Sequence, residues 1–158
     1  MVTLTLASPA LVTIEGDLGT GKTTLVRAIM RARGVRGPVT SPSFTLAQSY
    51  HGGRGEVLHH LDLYRLSRGA DVDFFAWDDY LGDDALTFIE WPAAGSEALP
   101  AADVRLELQH QTLRSRRVRL FASAAFERSV AEAAAAEGIQ VGDAVAEAPS
   151  IVLPRGAS

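Results

Sequence analysis

Short apolar runs punctuated by glycine and proline dominate the first 122 residues, and their period separates strands from helices. Residues 11–15, LVTIE, form a β-branched run that predicts a strand leading into a glycine-rich turn. From Thr24 to Arg33 the period lengthens to that of a helix, with Leu25, Ile29 and Ala32 on one face and Gly34 as the stop. Residues 44–50 and 56–62 flank His51-Gly52-Gly53-Arg54-Gly55, a turn chemistry that predicts a β-hairpin with a four- or five-residue loop. Residues 85–89, ALTFI, are apolar without a break and end in Glu90 before Trp91-Pro92. That is the pattern of a buried central strand delivering an acid to its carboxyl edge. Residues 104–108 and 117–122 alternate with period two and predict a closing antiparallel pair.

Two further segments read as helices. Residues 70–81 space Val72, Phe75 and Trp77 among four aspartates and stop at Gly82, and the alanine-rich residues 122–137 stop at Gly138. Residues 141–158 carry little pattern and read as a weakly structured tail, which leaves 1–140 as a single domain.

The turn after the first strand carries the chemistry. Gly16-Asp17-Leu18-Gly19-Thr20-Gly21-Lys22-Thr23 is a complete P-loop, set between a strand and a helix as that motif requires. Its glycines permit positive φ angles, so successive N–H groups turn inward to form an anion nest, completed by the amides of the opening helical turn. Thr23 offers a hydroxyl oxygen to Mg²⁺, and Thr24 continues the helix. Lys22 is the only lysine, against fourteen arginines. A compact ammonium reaches β- and γ-phosphate oxygens in a cradle too tight for a guanidinium fork, so the chain is expected to bind a nucleoside triphosphate. The fold class that follows is α/β, a P-loop NTPase-like three-layer fold with a mixed parallel and antiparallel central sheet.

Hydrolysis also needs acids at strand ends. Asp62, after VLHHL, and Glu90 are the two candidates, and periodicity leaves open which holds metal and which orients water. Thr40, Ser41, Ser43 and Thr45 supply hydroxyls in a proline-containing loop suited to sensing a γ-phosphate, although each taken singly reads as a turn or cap residue. His59 and His60, adjacent in a strand, point to opposite faces and are no chelate. Arg114, Arg116, Arg117 and Arg119 read first as a solvated strand edge that resists aggregation, and second as a docking surface for an acidic partner or RNA.

Composition narrows the picture. A chain of 158 residues with 47% hydrophobic content and a net charge of −4 is one soluble unit without the broad basic surface that DNA or direct tRNA binding calls for. The absence of cysteine excludes disulfides, thiolate metal sites and a cysteine nucleophile. With neither a basic leader nor an apolar run of membrane-spanning length, the cytoplasm is the expected compartment.

Four motifs in order, GDLGTGKTT (16–24), SPSFTL (41–46), HLDLYRL (60–66) and IEWP (89–92), resemble the bacterial TsaE (YjeE) family over residues 11–122. Those proteins are small P-loop ATPases needed to make threonylcarbamoyladenosine beside the anticodon of tRNA. The resemblance implies ATP and Mg²⁺ as cofactors, Lys22 as the phosphate-binding lysine, Thr23 and Glu90 as Mg²⁺ ligands, and Asp62 as a catalytic acid. It implies Thr40 and Ser41 in a switch-like loop and Trp91 beside the nucleotide. The implied partners are the TsaB–TsaD pair, in which TsaD transfers the threonylcarbamoyl group and ATP hydrolysis resets the complex, with tRNA reached only through that complex. Fifteen residues precede Gly16, fewer than the family usually carries. Either the start lies upstream, or the adenine side is covered by residues 2–6 or the C-terminal helix. A small P-loop kinase of a metabolite or nucleotide is the alternative reading, although no arginine-bearing lid is recognisable, and a nucleotide-dependent binding switch is a third.

Overall fold

The strand–turn–helix unit near the start of the chain organises everything after it. The computed structural model describes residues 10–66, 76–82, 84–95, 98–112, 115–122 and 150–154. β1 (Ala10–Glu15) enters the P-loop, and α1 (Lys22–Ala32) leaves it. β2 (Ala47–His51) and β3 (Val57–Asp62) form the expected hairpin, followed by β4 (Ala85–Glu90), β5 (Val104–His110), β6 (Ser115–Ala122) and β7 (Ser150–Pro154).

The seven strands lie in the order β2-β3-β4-β1-β5-β6-β7. β3, β4, β1 and β5 are mutually parallel, while β2 is antiparallel to β3 at one flank and, at the other, β6 is antiparallel to β5 and β7 to β6. This is the mixed sheet that the sequence predicts. After β1 the chain crosses to β3, fills the gap with β4 and returns to β5 on the far side of β1. β1 is thus the topological switch point, where open α/β sheets hold their ligands beyond the carboxyl ends of the strands.

Strand alternation sorts side chains between two cores. Val12, Ile14, Leu58, Leu86, Phe88, Val104 and Leu106 pack against Val26, Ile29 and Met30 of α1. The opposite face carries Leu11, Leu61, Leu63, Leu66 and Ile89 beneath Trp77, Tyr80, Trp91 and Leu99. Each fully buried aliphatic side chain contributes about 1.5–3 kcal/mol to holding α1 on the sheet. The helix begins two residues earlier than its periodicity predicts, and its buried stripe is Lys22, Val26, Ile29 and Met30. Ala32 is exposed and Leu25 only partly covered, because the face turned to the sheet is centred on Val26, Ile29 and Met30. Gly34, at φ 84°, ends the helix as expected.

Other expectations change. β2 starts at Ala47 instead of residue 44, because Leu46 N–H donates to Pro42 O at 2.7 Å and closes a turn with Leu46 at φ 64°. Of the helix predicted over 70–81, residues 70–75 lie outside the described residues, and Trp77–Asp79 is one 3-10 turn. The predicted helix over 122–137 also lies outside the described residues, apart from Ala122, which belongs to β6. Within the segment read as an unpatterned tail, Ser150–Pro154 is a strand paired with β6. β6 is therefore an interior strand, and the reading of its arginines as an exposed sheet edge does not hold; Arg114 lies outside the described residues. No helix among the described residues is long and apolar enough to cross a membrane.

Candidate functional site

β1 delivers its chain end into a turn that only glycine can open. Gly16, Gly19 and Gly21 have φ of 142°, 77° and 98°. A Cβ on Gly16 would stand 2.5 Å from Leu108 O, so backbone approach as well as dihedral freedom demands glycine there. Thr20, buried, donates its hydroxyl to Asp17 O at 2.8 Å and ties the loop to itself. Arg116 reaches from β6 to donate through Nε to Thr20 O at 3.1 Å, fixing the loop from outside.

Lys22, 5% exposed, lies under this arch and donates to Gly16 O at 2.6 Å and Asp17 O at 2.9 Å. Its Nζ sits 3.9 Å from the Trp91 ring centre, a cation–π contact in a desolvated place. Burial pulls the ammonium below its ordinary value of 10.5, with Glu90, Asp62 and Asp17 opposing that shift. Trp91 adopts φ 59°, an uncommon backbone state for a bulky residue, and this turn carries its indole off the end of β4 onto Lys22 and Tyr64.

Asp62 and Glu90 occupy paired positions at the carboxyl ends of β3 and β4. Both are buried and share the α1 face with Leu58 and Phe88, by strand alternation. Thr23 Oγ1 donates to Glu90 Oε2 at 3.0 Å, while His60 Nε2 lies 2.8 Å from Glu90 Oε1. Asp62 accepts from Ser43 Oγ at 2.7 Å and from Tyr64 N–H at 3.1 Å. A cavity of about 310 Å³ opens between these groups, lined by Leu18, Gly19 and Gly21 to Thr24 of the P-loop, by Ser41 and Ser43, and by Asp62, Tyr64, Glu90 and Trp91.

The fold therefore brings Leu18, Gly19, Gly21, Lys22, Thr23, Thr24, Asp62, Glu90, Trp91 and Ser41 to one cavity. Gly16, Asp17 and Thr20 shape its arch through backbone contacts instead of lining it. Thr40 does not line it; its hydroxyl donates to Gln48 Oε1 at 2.9 Å on an exposed surface. Sequence reasoning gave His60, Tyr64 and Arg116 no part in the site. His60 was within reach, because period two puts it on the same face as Asp62; the Arg116 contact spans 96 positions and left no local signal.

Hard oxygen donors suit a magnesium ion here. Among the described residues no cluster of three or more His, Cys, Asp or Glu could cage a metal. Protein would supply the Thr23 hydroxyl and the Glu90 carboxylate, and phosphate and water the rest, which is how magnesium is usually held.

Comparison with known proteins identifies the family. The profile of the family described as "Threonylcarbamoyl adenosine biosynthesis protein TsaE" matches residues 2–118. The protein "tRNA threonylcarbamoyladenosine biosynthesis protein TsaE" of Haemophilus influenzae is 38% identical over 100 residues, 63% of each chain. Its namesake in Streptomyces coelicolor is 41% identical over 100 residues, 62% of this chain and 67% of that one. In Aquifex aeolicus the figure is 34% over 110 residues, 68% and 74% of the two chains. The matched stretch thus spans less than two thirds of the Haemophilus relative's length. Among solved structures, YdiB of Bacillus subtilis superposes with a TM-score of 0.68 at 25% identity, over 86% of this chain and 84% of that one.

Proposed function

The chain belongs to the TsaE family, and from that premise we propose that it is a magnesium-dependent ATPase supporting threonylcarbamoyladenosine formation on tRNA. The observation that carries this reading is the convergence of one ammonium, one Thr–Glu pair and one further carboxylate on a single cavity at the switch point of the sheet. Lys22 exchanges its two P-loop carbonyl partners for β- and γ-phosphate oxygens, and the inward amides of the arch take the remaining charge. Thr23 and Glu90 would hold magnesium, which when bound would neutralise charge on the phosphate oxygens. Asp62, aimed by Ser43 and by Tyr64 N–H, orients the attacking water. Trp91 forms a wall beside the phosphates. The partners in this reading are the TsaB–TsaD pair, the compartment is the cytoplasm, and the isolated chain turns over slowly.

Calorimetric titration with ATP in magnesium, followed by phosphate release with and without purified TsaB–TsaD, tests the proposal. ATP uptake and a rate that rises on adding the pair are expected. Absence of ATP uptake both alone and in the presence of the pair refutes nucleotide binding, and equal turnover in the two conditions refutes the partner-dependent part.

A further inference from the structure

We propose that His60 is a positioning residue for Glu90, donating a fixed hydrogen bond that keeps this carboxylate turned toward Thr23 and the cavity. The inference rests on the magnesium-holding role proposed above for Glu90. His60 is fully buried on β3, on the same face of the sheet as Asp62 and Glu90, and its Nε2 lies 2.8 Å from Glu90 Oε1. The other carboxylate oxygen accepts from Thr23 on α1 at 3.0 Å. Glu90 is thereby held between a strand and a helix, and its side chain has no freedom to choose another orientation.

The hydrogen on this contact can be assigned. An ionised carboxylate only accepts, so Nε2 must donate. His60 Nδ1 is buried and has no hydrogen-bond partner among the described residues. A hydrogen there would be a buried unsatisfied donor, costly in an apolar setting, whereas a bare nitrogen lone pair is the cheaper group to strand. Both ring nitrogens thus point to the tautomer with its hydrogen on Nε2.

Without this donor, Oε1 would be left buried and unpaired. The Lys22 ammonium, whose strongest opposite-charge neighbour is Glu90, is the alternative partner toward which the carboxylate would turn. That rotation would turn the metal-facing oxygen away from Thr23 and the cavity. Partners that orient a metal ligand from behind typically change metal affinity by about 10–100-fold when removed.

Two measurements test the inference. In the nucleotide-free protein, long-range ¹H–¹⁵N correlation of labelled His60 is expected to report the hydrogen on Nε2; a hydrogen on Nδ1 overturns the assignment. Binding of a non-hydrolysable ATP analogue is then titrated against magnesium for wild type, His60→Phe and His60→Gln. His60→Phe fills the space without donating and is expected to raise the magnesium needed for half-saturation about tenfold or more, while binding in EDTA stays within about twofold. His60→Gln restores a donor along the same direction and is expected to recover most of the loss. A merely structural histidine would lower the melting temperature of His60→Phe and leave the magnesium requirement unchanged, and that result overturns the proposal alone. A wild-type protein that takes up no ATP overturns the preceding reading and this one with it. If His60→Phe does not fold, the tautomer in the wild-type protein decides.

Discussion

Asp62 and Glu90 end neighbouring parallel strands in paired register and face the same cavity, but different kinds of structure hold them. Glu90 is clamped by residues of regular elements, Thr23 in the first turn of α1 and His60 in β3. Asp62 is held by a loop hydroxyl, Ser43, and by the N–H of Tyr64 just past its own strand. Ser43 is itself linked to Ser41 at 2.6 Å. A carboxylate fixed by the framework suits the constant task of holding a metal, and one fixed by a loop can respond to what the loop touches. The SPSF segment, with Phe44 82% exposed, would then report on Asp62 and leave Glu90 undisturbed.

Replacing each acid in turn should break this comparison most sharply. Asp62→Asn is expected to lower turnover about 10²–10⁴-fold while ATP affinity and magnesium requirement stay close to wild type. Glu90→Gln should lose turnover and also demand more magnesium, so parallel titrations of phosphate release and analogue binding separate the two roles. An equal rise in magnesium requirement for both variants would erase the distinction.

Lys22→Ala comes next. It removes charge-assisted bonds worth about 2–3 kcal/mol, so calorimetry should record ATP binding about a hundredfold weaker. Lys22→Arg is expected to fail as well, because the guanidinium must fit beneath Trp91 and between the Gly16 and Asp17 carbonyls.

Ser43→Ala frees one oxygen of Asp62 and should cost about tenfold in turnover with no change in magnesium dependence. A larger effect on magnesium than on rate would show that the loop also governs the framework side. Arg116→Ala, which releases the Thr20 carbonyl, is expected to weaken ATP binding about fivefold, a loss of about 1 kcal/mol read by the same titration.

The smallest effect concerns stability on the face away from the site. His59, buried against Ser49 at 2.8 Å and edge-on to Tyr80, is pushed below its ordinary value of 6.5 by burial. Between its folded and unfolded values the unfolded chain binds more protons, so its contribution is fully present above about pH 6.5 and is lost as pH falls toward the folded value. Urea unfolding at pH 7.5 and pH 5 should show a smaller acid loss for His59→Gln than for wild type. An unchanged difference would mean that other groups carry the pH dependence.

Much of the fold was legible because its signals are local. The run before Gly16, the glycine-rich hairpin turn and the apolar 85–89 segment each state their own conformation through period and turn chemistry, and the strands formed where those patterns lie. Boundaries shifted where a neighbour intervened. The Pro42–Leu46 turn delayed β2, and the P-loop drew the start of α1 forward to Lys22. The placement of Ser150–Pro154 beside β6 was illegible, since an edge strand recruited from far along the chain needs only an open hydrogen-bonding edge and no strong pattern of its own.

The sequence by itself determined a phosphate cradle, a lone ammonium within it and two acids closing apolar runs, because glycine spacing and side-chain chemistry are properties of a few consecutive residues. Only the tertiary structure decided that Glu90 meets Thr23 and His60, that Ser43 holds Asp62, and that Arg116 supports the P-loop from a distant strand. Those choices depend on strand order and register, which bring together residues 19 to 96 positions apart; no local pattern along the chain encodes such a meeting.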